Sequence, residues 1–308
     1  MSEQHSPDLS VDIAGVRLRN PVIAASGTFG YGSEYAGLID VSRLGGICTK
    51  GLTLHPRGGN SGARIWETPA GLLNSIGLEN PGIESFIANE LPRLRQLGPA
   101  VIANLSGSTV DEYAEGAALL DKSSIDIIEL NISCPNVKAG GMAFGLDPDA
   151  AASVVNAVRR ACPHKPLMAK LSPNAPDIAA VARACVNAGA DALSLVNTFK
   201  AMAIDIKKRK PVFDNISAGL SGPAIKPIAL RMVWELCGEF KTSVPVIGLG
   251  GISCAGDALE FLMAGSVAIQ VGSATFARPS TMIEIIDGIE SYMKTAGIAA
   301  VKDLPIRK

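Results

Sequence analysis

Ile125-Asp126-Ile127-Ile128-Glu129-Leu130-Asn131-Ile132 runs directly into Ser133-Cys134-Pro135-Asn136. The first part has the apolar density of a buried strand. It ends abruptly in amides, a hydroxyl, a thiol and a proline, as expected for a site built on a rigid element. The amides can hydrogen-bond a flat polar ligand. The thiol of Cys134 is a group able to exchange a proton near neutral pH.

The same pattern, an apolar run with a polar or glycine exit, recurs along the chain. Strands are predicted at Val22–Ala25, Gly46–Thr49, Ala100–Leu105, Asp126–Ile132, Leu167–Leu171, Ala192–Val196, Val244–Gly248 and Ala268–Gly272. Helical patterns fall at 33–40, 84–96, 109–121, 147–161, 176–188, 223–240, 256–264 and 280–296. Asp147-Pro148 places a cap before a first-turn proline, and Ser221-Gly222-Pro223 gives a similar start signal. Eight strands, mostly separated by helices, predict a (β/α)8 barrel of the TIM type rather than an open sheet. The doubly wound alternative usually opens with Gly-x-Gly-x-x-Gly after its first strand, which Gly27-Thr28-Phe29-Gly30 does not match. Ser10 to Arg19 alternates around Gly15 and predicts an N-terminal β-hairpin under the barrel. Long strand-to-helix loops are expected at 51–83, 132–146 and 197–222. With no linker, repeat or low-complexity tract, residues 1–308 read as a single domain.

Composition agrees with a packed enzyme. The 308 residues are 47% hydrophobic with a net charge of −1, which gives no electrostatic reason to expect nucleic acid or an anionic membrane. The basic run Lys207-Lys208-Arg209-Lys210 is read as a solvated loop. No apolar stretch approaches the roughly 20 residues needed to span a bilayer, and Met1 to Ser10 lacks the pattern of a secretory signal. A cytoplasmic protein is expected. The six cysteines are dispersed without a Cys-x-x-Cys pair, so neither a disulfide framework nor a metal site is expected. Glycan-acceptor patterns at Asn104, Asn131 and Asn215 have no secretory context, and the first two sit at strand ends.

In a (β/α)8 barrel the chemistry sits at the C-terminal ends of the strands. The residues there are Ser26, Lys50, Asn104, Asn131, Lys170, Asn197, Gly250-Gly251 and Gly272-Ser273. Glycines after the seventh and eighth strands either make tight turns or let backbone N–H groups converge on a phosphate. Two such pairs in the two expected loops favour the phosphate. Lys50 and Lys170 either reach solvent at the rim or point into the mouth and bind anions. Asn74, Asn104, Asn131 and Asn197 could each cap a loop, but four at equivalent barrel positions fit a ring with alternating C=O and N–H groups. Five cysteines read as small buried hydrophobes. Cys134, at a strand exit, does not, and Val137-Lys138-Ala139-Gly140-Gly141 after it reads as a lid.

Specific motifs extend this pattern. They are Ala24-Ala25-Ser26-Gly27-Thr28-Phe29-Gly30, Thr49-Lys50-Gly51, Glu67-Thr68-Pro69-Ala70-Gly71, and Asn74-Ser75-Ile76-Gly77-Leu78-Glu79-Asn80-Pro81-Gly82. They continue with Asn131-Ile132-Ser133-Cys134-Pro135-Asn136-Val137-Lys138, Asn197-Thr198, Gly219-Leu220-Ser221-Gly222-Pro223-Ala224-Ile225-Lys226-Pro227 and Gly250-Gly251-Ile252. Over nearly its whole length the chain resembles the class 1 dihydroorotate dehydrogenases, specifically the 1B catalytic subunit. It departs from that pattern in the loop Pro56 to Arg64, which lacks prolines near its end, and at Ala201, where glycine is usual.

The resemblance implies FMN held by Ser26, Lys50, Gly51, Asn104, Asn131, Lys170, Val196, Gly222, Gly250, Gly251, Gly272 and Ser273. It implies a substrate, (S)-dihydroorotate, met by Lys50, Asn74, Ser75, Ile76, Gly77, Leu78, Asn131, Asn197 and Thr198. Cys134 matches the family's catalytic base, taking the C5 proton while C6 gives a hydride to the flavin. The product is orotate, in UMP biosynthesis. A 1B enzyme further implies a separate subunit with FAD and a [2Fe–2S] cluster that reduces NAD+, in a heterotetramer around a homodimer of this chain. The chain itself has no cysteine cluster for such a centre. Three alternatives remain at this point: a class 1A-like enzyme that reduces fumarate, a related pyrimidine reductase, and a phosphate-binding barrel without catalysis.

Overall fold

The predicted strands pair in sequence order and close on themselves. The computed structural model describes residues 6–133 and 144–306. The barrel strands are β1 (Val22–Ala24), β2 (Gly46–Cys48), β3 (Ala100–Leu105), β4 (Ile127–Asn131), β5 (Leu167–Lys170), β6 (Ala192–Leu195), β7 (Val246–Leu249) and β8 (Ala268–Val271). Each runs parallel to the next, and β8 pairs with β1 through Gln270 opposite Ile23, completing a closed (β/α)8 barrel. Their residues are buried on both faces, because helices cover the outside and side chains fill the inside.

Helices connect the strands with chemically legible starts. Thr109, Asp147 and Asp177 each accept a hydrogen bond from the backbone N–H three residues on, opening helices Val110–Asp121, Pro148–Ala161 and Ile178–Asn187. Helices Lys226–Phe240, Ala255–Met263 and Thr281–Ala296 cover the later strands. The segment predicted as one helix at 84–96 is helical at Ile83–Ser85 and Leu91–Gln96, with a wider π turn at Phe86–Glu90 between them. Pro92 has no N–H to donate to residue 88, which explains the widening just before it. The helix expected at 33–40 does not form. Gly30 and Gly32 take φ of +57° and +89°, the ring of Tyr35 stacks on Phe29 at 4.1 Å, and only a single 3-10 turn follows at Val41–Arg43.

The N-terminal hairpin is present, Val11–Ile13 against Val16–Leu18. Ala14 and Gly15 both have positive φ, the geometry of the tight turns that match strand twist. Ile13 and Leu18 are buried, and Arg17, Leu18 and Arg19 line a cavity with Gly45 and Ala100 near the starts of β2 and β3. The hairpin therefore lies under the barrel.

Two segments expected as irregular loops instead build a sheet together. The excursion after β2 supplies Ile65–Thr68 and Gly71–Asn74, and the excursion after β6 supplies Phe199–Ala201 and Ala218–Ser221. They pair antiparallel into one four-stranded sheet with a small core of Leu73, Phe213 and Ala218. Both excursions leave from the C-terminal ends of their strands, so this sheet stands over the mouth of the barrel. Among the described residues no helix is long and apolar enough to cross a membrane.

Candidate active site

Alternation along β4 puts Ile127, Glu129 and Asn131 on its inner face. Glu129 is fully buried, and its two oxygens accept five hydrogen bonds inside the barrel. Oε2 accepts from Asn104 Nδ2 at 2.6 Å, Cys48 Sγ at 3.0 Å and Lys170 Nζ at 3.2 Å. Oε1 accepts from Gln270 Nε2 at 2.6 Å and Ser194 Oγ at 2.9 Å. These donors come from β2, β3, β5, β6 and β8. Burial alone would raise the carboxyl pKa of Glu129. The Lys170 charge and the bonds from Cys48, Gln270 and Asn104 outweigh burial and hold it below its ordinary value. Burial and the neighbouring carboxylate push the Cys48 thiol well above its usual range, so it stays protonated as a donor.

One position nearer the mouth, the amides predicted from sequence meet one another. Asn131 Nδ2 donates to Asn104 Oδ1 at 3.3 Å. Asn131 Oδ1 accepts from Ser133 Oγ at 2.7 Å and Asn197 Nδ2 at 3.3 Å, and Asn197 also donates to the Ser133 hydroxyl. Asn197 Oδ1 then fixes the backbone N–H of Thr198 at 2.8 Å. Thr198 abuts Gly219, whose carbonyl accepts from Asn74 Nδ2 at 3.2 Å. The amide set thus joins the ends of β3, β4 and β6 to the overlying sheet.

Lys50 and the segment 75–78 complete that side. Lys50 Nζ lies 3.4 Å from Glu79, which also pairs with Arg64 at 3.0 Å. Gly51 sits where a Cβ would be 3.0 Å from Leu78 and 3.2 Å from Asn104 Oδ1. Asn60 holds the strip from the outside, donating to Ser75 and taking its own N–H to the Ile76 carbonyl. Gly77 packs on Asn60, and Leu78 takes φ of +55°.

The glycine exits gather on the other side. Gly250 and Gly251 have φ of +129° and +75°, conformations that glycine adopts without strain. Gly250 lies against Val196, and Gly251 against the Gly222 carbonyl and Lys226. Gly272 lies beside Ala25 and Thr28, the residues flanking Ser26 and Gly27, and Ser273 precedes the short helix Ala274–Ala277. Every described residue expected to take part therefore lies at the C-terminal end of the barrel. Cys134 and the segment 137–141 lie outside the described residues.

A protein-family model described as dihydroorotate dehydrogenase matches residues 8–293. The chain belongs to the dihydroorotate dehydrogenase family. It is 56% identical over 297 residues to a protein of Petrotoga mobilis, covering 96% of this chain and 98% of that one. It is 56% identical over 299 residues to one of Geotalea daltonii and 53% identical over 299 residues to one of Geobacter sulfurreducens, with 97% of each chain covered in both cases. All three relatives are named dihydroorotate dehydrogenase B (NAD(+)), catalytic subunit.

The residues at the mouth fit the flavin mononucleotide that the family resemblance implies. A flat ring with alternating C=O and N–H groups matches amides that both donate and accept, flanked by the two ammonium groups of Lys50 and Lys170. A phosphate matches the positive-φ glycines at the end of β7 and the glycine–serine exit of β8, where backbone can approach without a Cβ between. Two groups at the site were missed from sequence. Glu129 is embedded in an apolar strand and gives no role from sequence, although a lone carboxylate in such a run is itself unusual. Asn80 stands in the Asn74 to Gly82 motif with no role legible from the sequence, yet its side chain ties together Thr53, Leu78 and Gly82.

Proposed function

We propose that this chain is the FMN-bearing catalytic subunit of an NAD+-type dihydroorotate dehydrogenase, a single barrel domain that oxidises (S)-dihydroorotate to orotate in pyrimidine biosynthesis. The observation that carries the reading is the meeting at one barrel mouth of Lys50, Lys170 and the four asparagines with the Gly222, Gly250 and Gly251 cluster, in a chain so similar to the relatives named above. Bound FMN supplies the hydride acceptor. Ser26, Lys50, Gly51, Asn104, Asn131, Lys170, Val196, Gly222, Gly250, Gly251, Gly272 and Ser273 hold it. Lys50, Asn74, Asn131, Asn197 and Thr198, with the strip Ser75 to Leu78, orient the substrate ring and carboxylate. Fixing that geometry in advance removes much of the entropic barrier to reaction. Cys134 takes the proton from substrate C5 as general base.

A catalytic subunit needs an outlet for its electrons. The proposed outlet is a partner subunit with FAD and a [2Fe–2S] cluster, two of them joined to a homodimer of this chain in the cytoplasm. The relatives' names specify NAD(+), which supports this outlet over direct use of fumarate. The decisive test is a visible spectrum of the pure protein. A yellow protein that bleaches on anaerobic addition of dihydroorotate is expected. A colourless protein, or a yellow one that dihydroorotate leaves unchanged, overturns the reading.

A further inference from the structure

Most inward-facing layers of a (β/α)8 barrel are apolar. Here one layer is built around an ion pair, with side-chain exposures of 5% for Lys170 and 0% for Glu129. Stability does not account for it, because a buried ion pair is often no better than well-packed hydrophobic residues of the same volume. A chain that keeps such a pair with five donors on one carboxylate has arranged the charge for some other purpose.

The geometry points to Glu129 as a positioning residue that fixes Lys170 and Asn104 beneath the flavin and offsets the lysine charge felt by the ring. This inference rests on the proposed flavin site. Oε2 of Glu129 binds both Lys170 and Asn104, two of the groups proposed to face the ring. Oε1 is pinned by Ser194 and Gln270, so the carboxylate is braced from both ends and cannot turn away. Asn131, a third proposed ring contact, is the next inward residue on the same strand and bonds to Asn104. The lysine and the carboxylate together are neutral. Removing only the carboxylate charge leaves Lys170 uncompensated in a region of low dielectric, where its attraction for added negative charge strengthens. Reduced flavin carries more negative charge than oxidised flavin, so it gains most.

Glu129→Gln keeps the shape and removes the charge. The interior can accept the new amide, because Gln270 Oε1 is buried with no hydrogen-bond partner among the described residues and can receive its N–H once the Gln270 amide turns. The test is a spectroelectrochemical titration of the FMN-loaded wild type and variant. The variant is expected to favour reduced over oxidised flavin about tenfold more than wild type, a rise in midpoint potential of about 30 mV for a two-electron couple. An unchanged potential with flavin bound overturns the inference and leaves the flavin site intact. A colourless wild-type protein overturns both.

Should Glu129→Gln lose its flavin or fail to fold, a second pair of variants decides. Lys170→Met leaves Glu129 as a buried unpaired charge and is expected to weaken FMN binding about tenfold or more. Adding Glu129→Gln to Lys170→Met is expected to recover the part of that loss due to the unpaired carboxylate, with the direct Lys170 contact still missing. A double variant that binds FMN no better than Lys170→Met alone overturns the inference.

Discussion

A side chain at Gly251 would place its Cβ 2.8 Å from the carbonyl oxygen of Gly222. The two residues belong to excursions from different strands, β7 and β6, and their contact closes the proposed phosphate side of the mouth. The same Cβ would sit 2.9 Å from the backbone nitrogen of Lys226, on a residue with φ of +75°. Backbone cannot swing aside as a flexible side chain can. Gly251→Ala is therefore expected to combine about 1–3 kcal/mol of backbone strain with a forced displacement of one excursion. FMN retention after gel filtration should fall about tenfold or more. Gly37→Ala is the control, since no described residue lies within 4 Å of its Cβ position. Its flavin content should match wild type.

Cys134 is proposed to act only as the proton acceptor, so its loss should leave binding intact. Cys134→Ala is expected to retain FMN and slow anaerobic flavin reduction by about 10²–10⁴-fold, the usual contribution of a positioned base. Stopped-flow absorbance with excess dihydroorotate reads this directly. The thiolate is the active form, so the wild-type rate should rise with pH and level off once the thiol is ionised. In Cys134→Ser that rise should move to higher pH. Unchanged single-turnover reduction in Cys134→Ala removes the residue from the mechanism.

Asn80 controls the strip that carries Leu78. Its Oδ1 accepts from the N–H groups of Thr53 at 3.2 Å and Gly82 at 2.9 Å. Its Nδ2 donates to Thr53 Oγ1 at 2.8 Å and the Leu78 carbonyl at 2.7 Å. Asn80→Ala removes these bonds and frees a residue held at φ of +55°. The strip is proposed to meet substrate, with flavin held elsewhere. KM for dihydroorotate should rise about tenfold, with flavin content near wild type and a smaller change in kcat. An equal loss of flavin would show that Asn80 serves the whole mouth.

The barrel was legible because each strand is an apolar run that stops at a polar or glycine residue. The predicted ends of β1, β2, β4, β5, β6, β7 and β8 differ from the observed ones by a residue or two, and β3 agrees at both ends. The same stops exposed Lys50, Asn104, Asn131, Lys170 and Asn197. The sheet over the mouth was not legible. Ile65–Thr68 is largely exposed and shows no inside–outside alternation, and its neighbour Gly71–Asn74 finds its other partner, Ala218–Ser221, far along the chain. No local period records such a pairing. Residues 33–40 misled in the opposite sense, since apolar spacing suggested a helix that the adjacent positive-φ glycines do not continue. Glu129 was hidden because its partners, Cys48, Asn104, Lys170, Ser194 and Gln270, lie on five other strands and meet it only when the barrel closes.

That closure also predicts an acid-sensitive step in stability. Glu129 has an ordinary carboxyl pKa of 4.5, which the folded barrel lowers, because Lys170 and the hydrogen bonds to the carboxylate overcome its burial. A carboxyl with a lowered folded pKa stabilises the fold above its unfolded value. The contribution is lost as pH falls through the folded value. Glu129→Gln has no such proton to bind. Denaturant midpoints of the two proteins should run parallel above pH 4.5 and converge below it. Wild-type stability should fall more steeply there, by up to about 1.4 kcal/mol per pH unit. Asp121 and Asp257, also lowered in the fold, are common to both proteins and cancel in the difference. Curves that stay parallel across the whole pH range would mean that folding leaves the Glu129 pKa at its ordinary value, and a wild-type curve that falls relative to the variant as pH rises above 4.5 would mean that Glu129 is protonated in the native barrel.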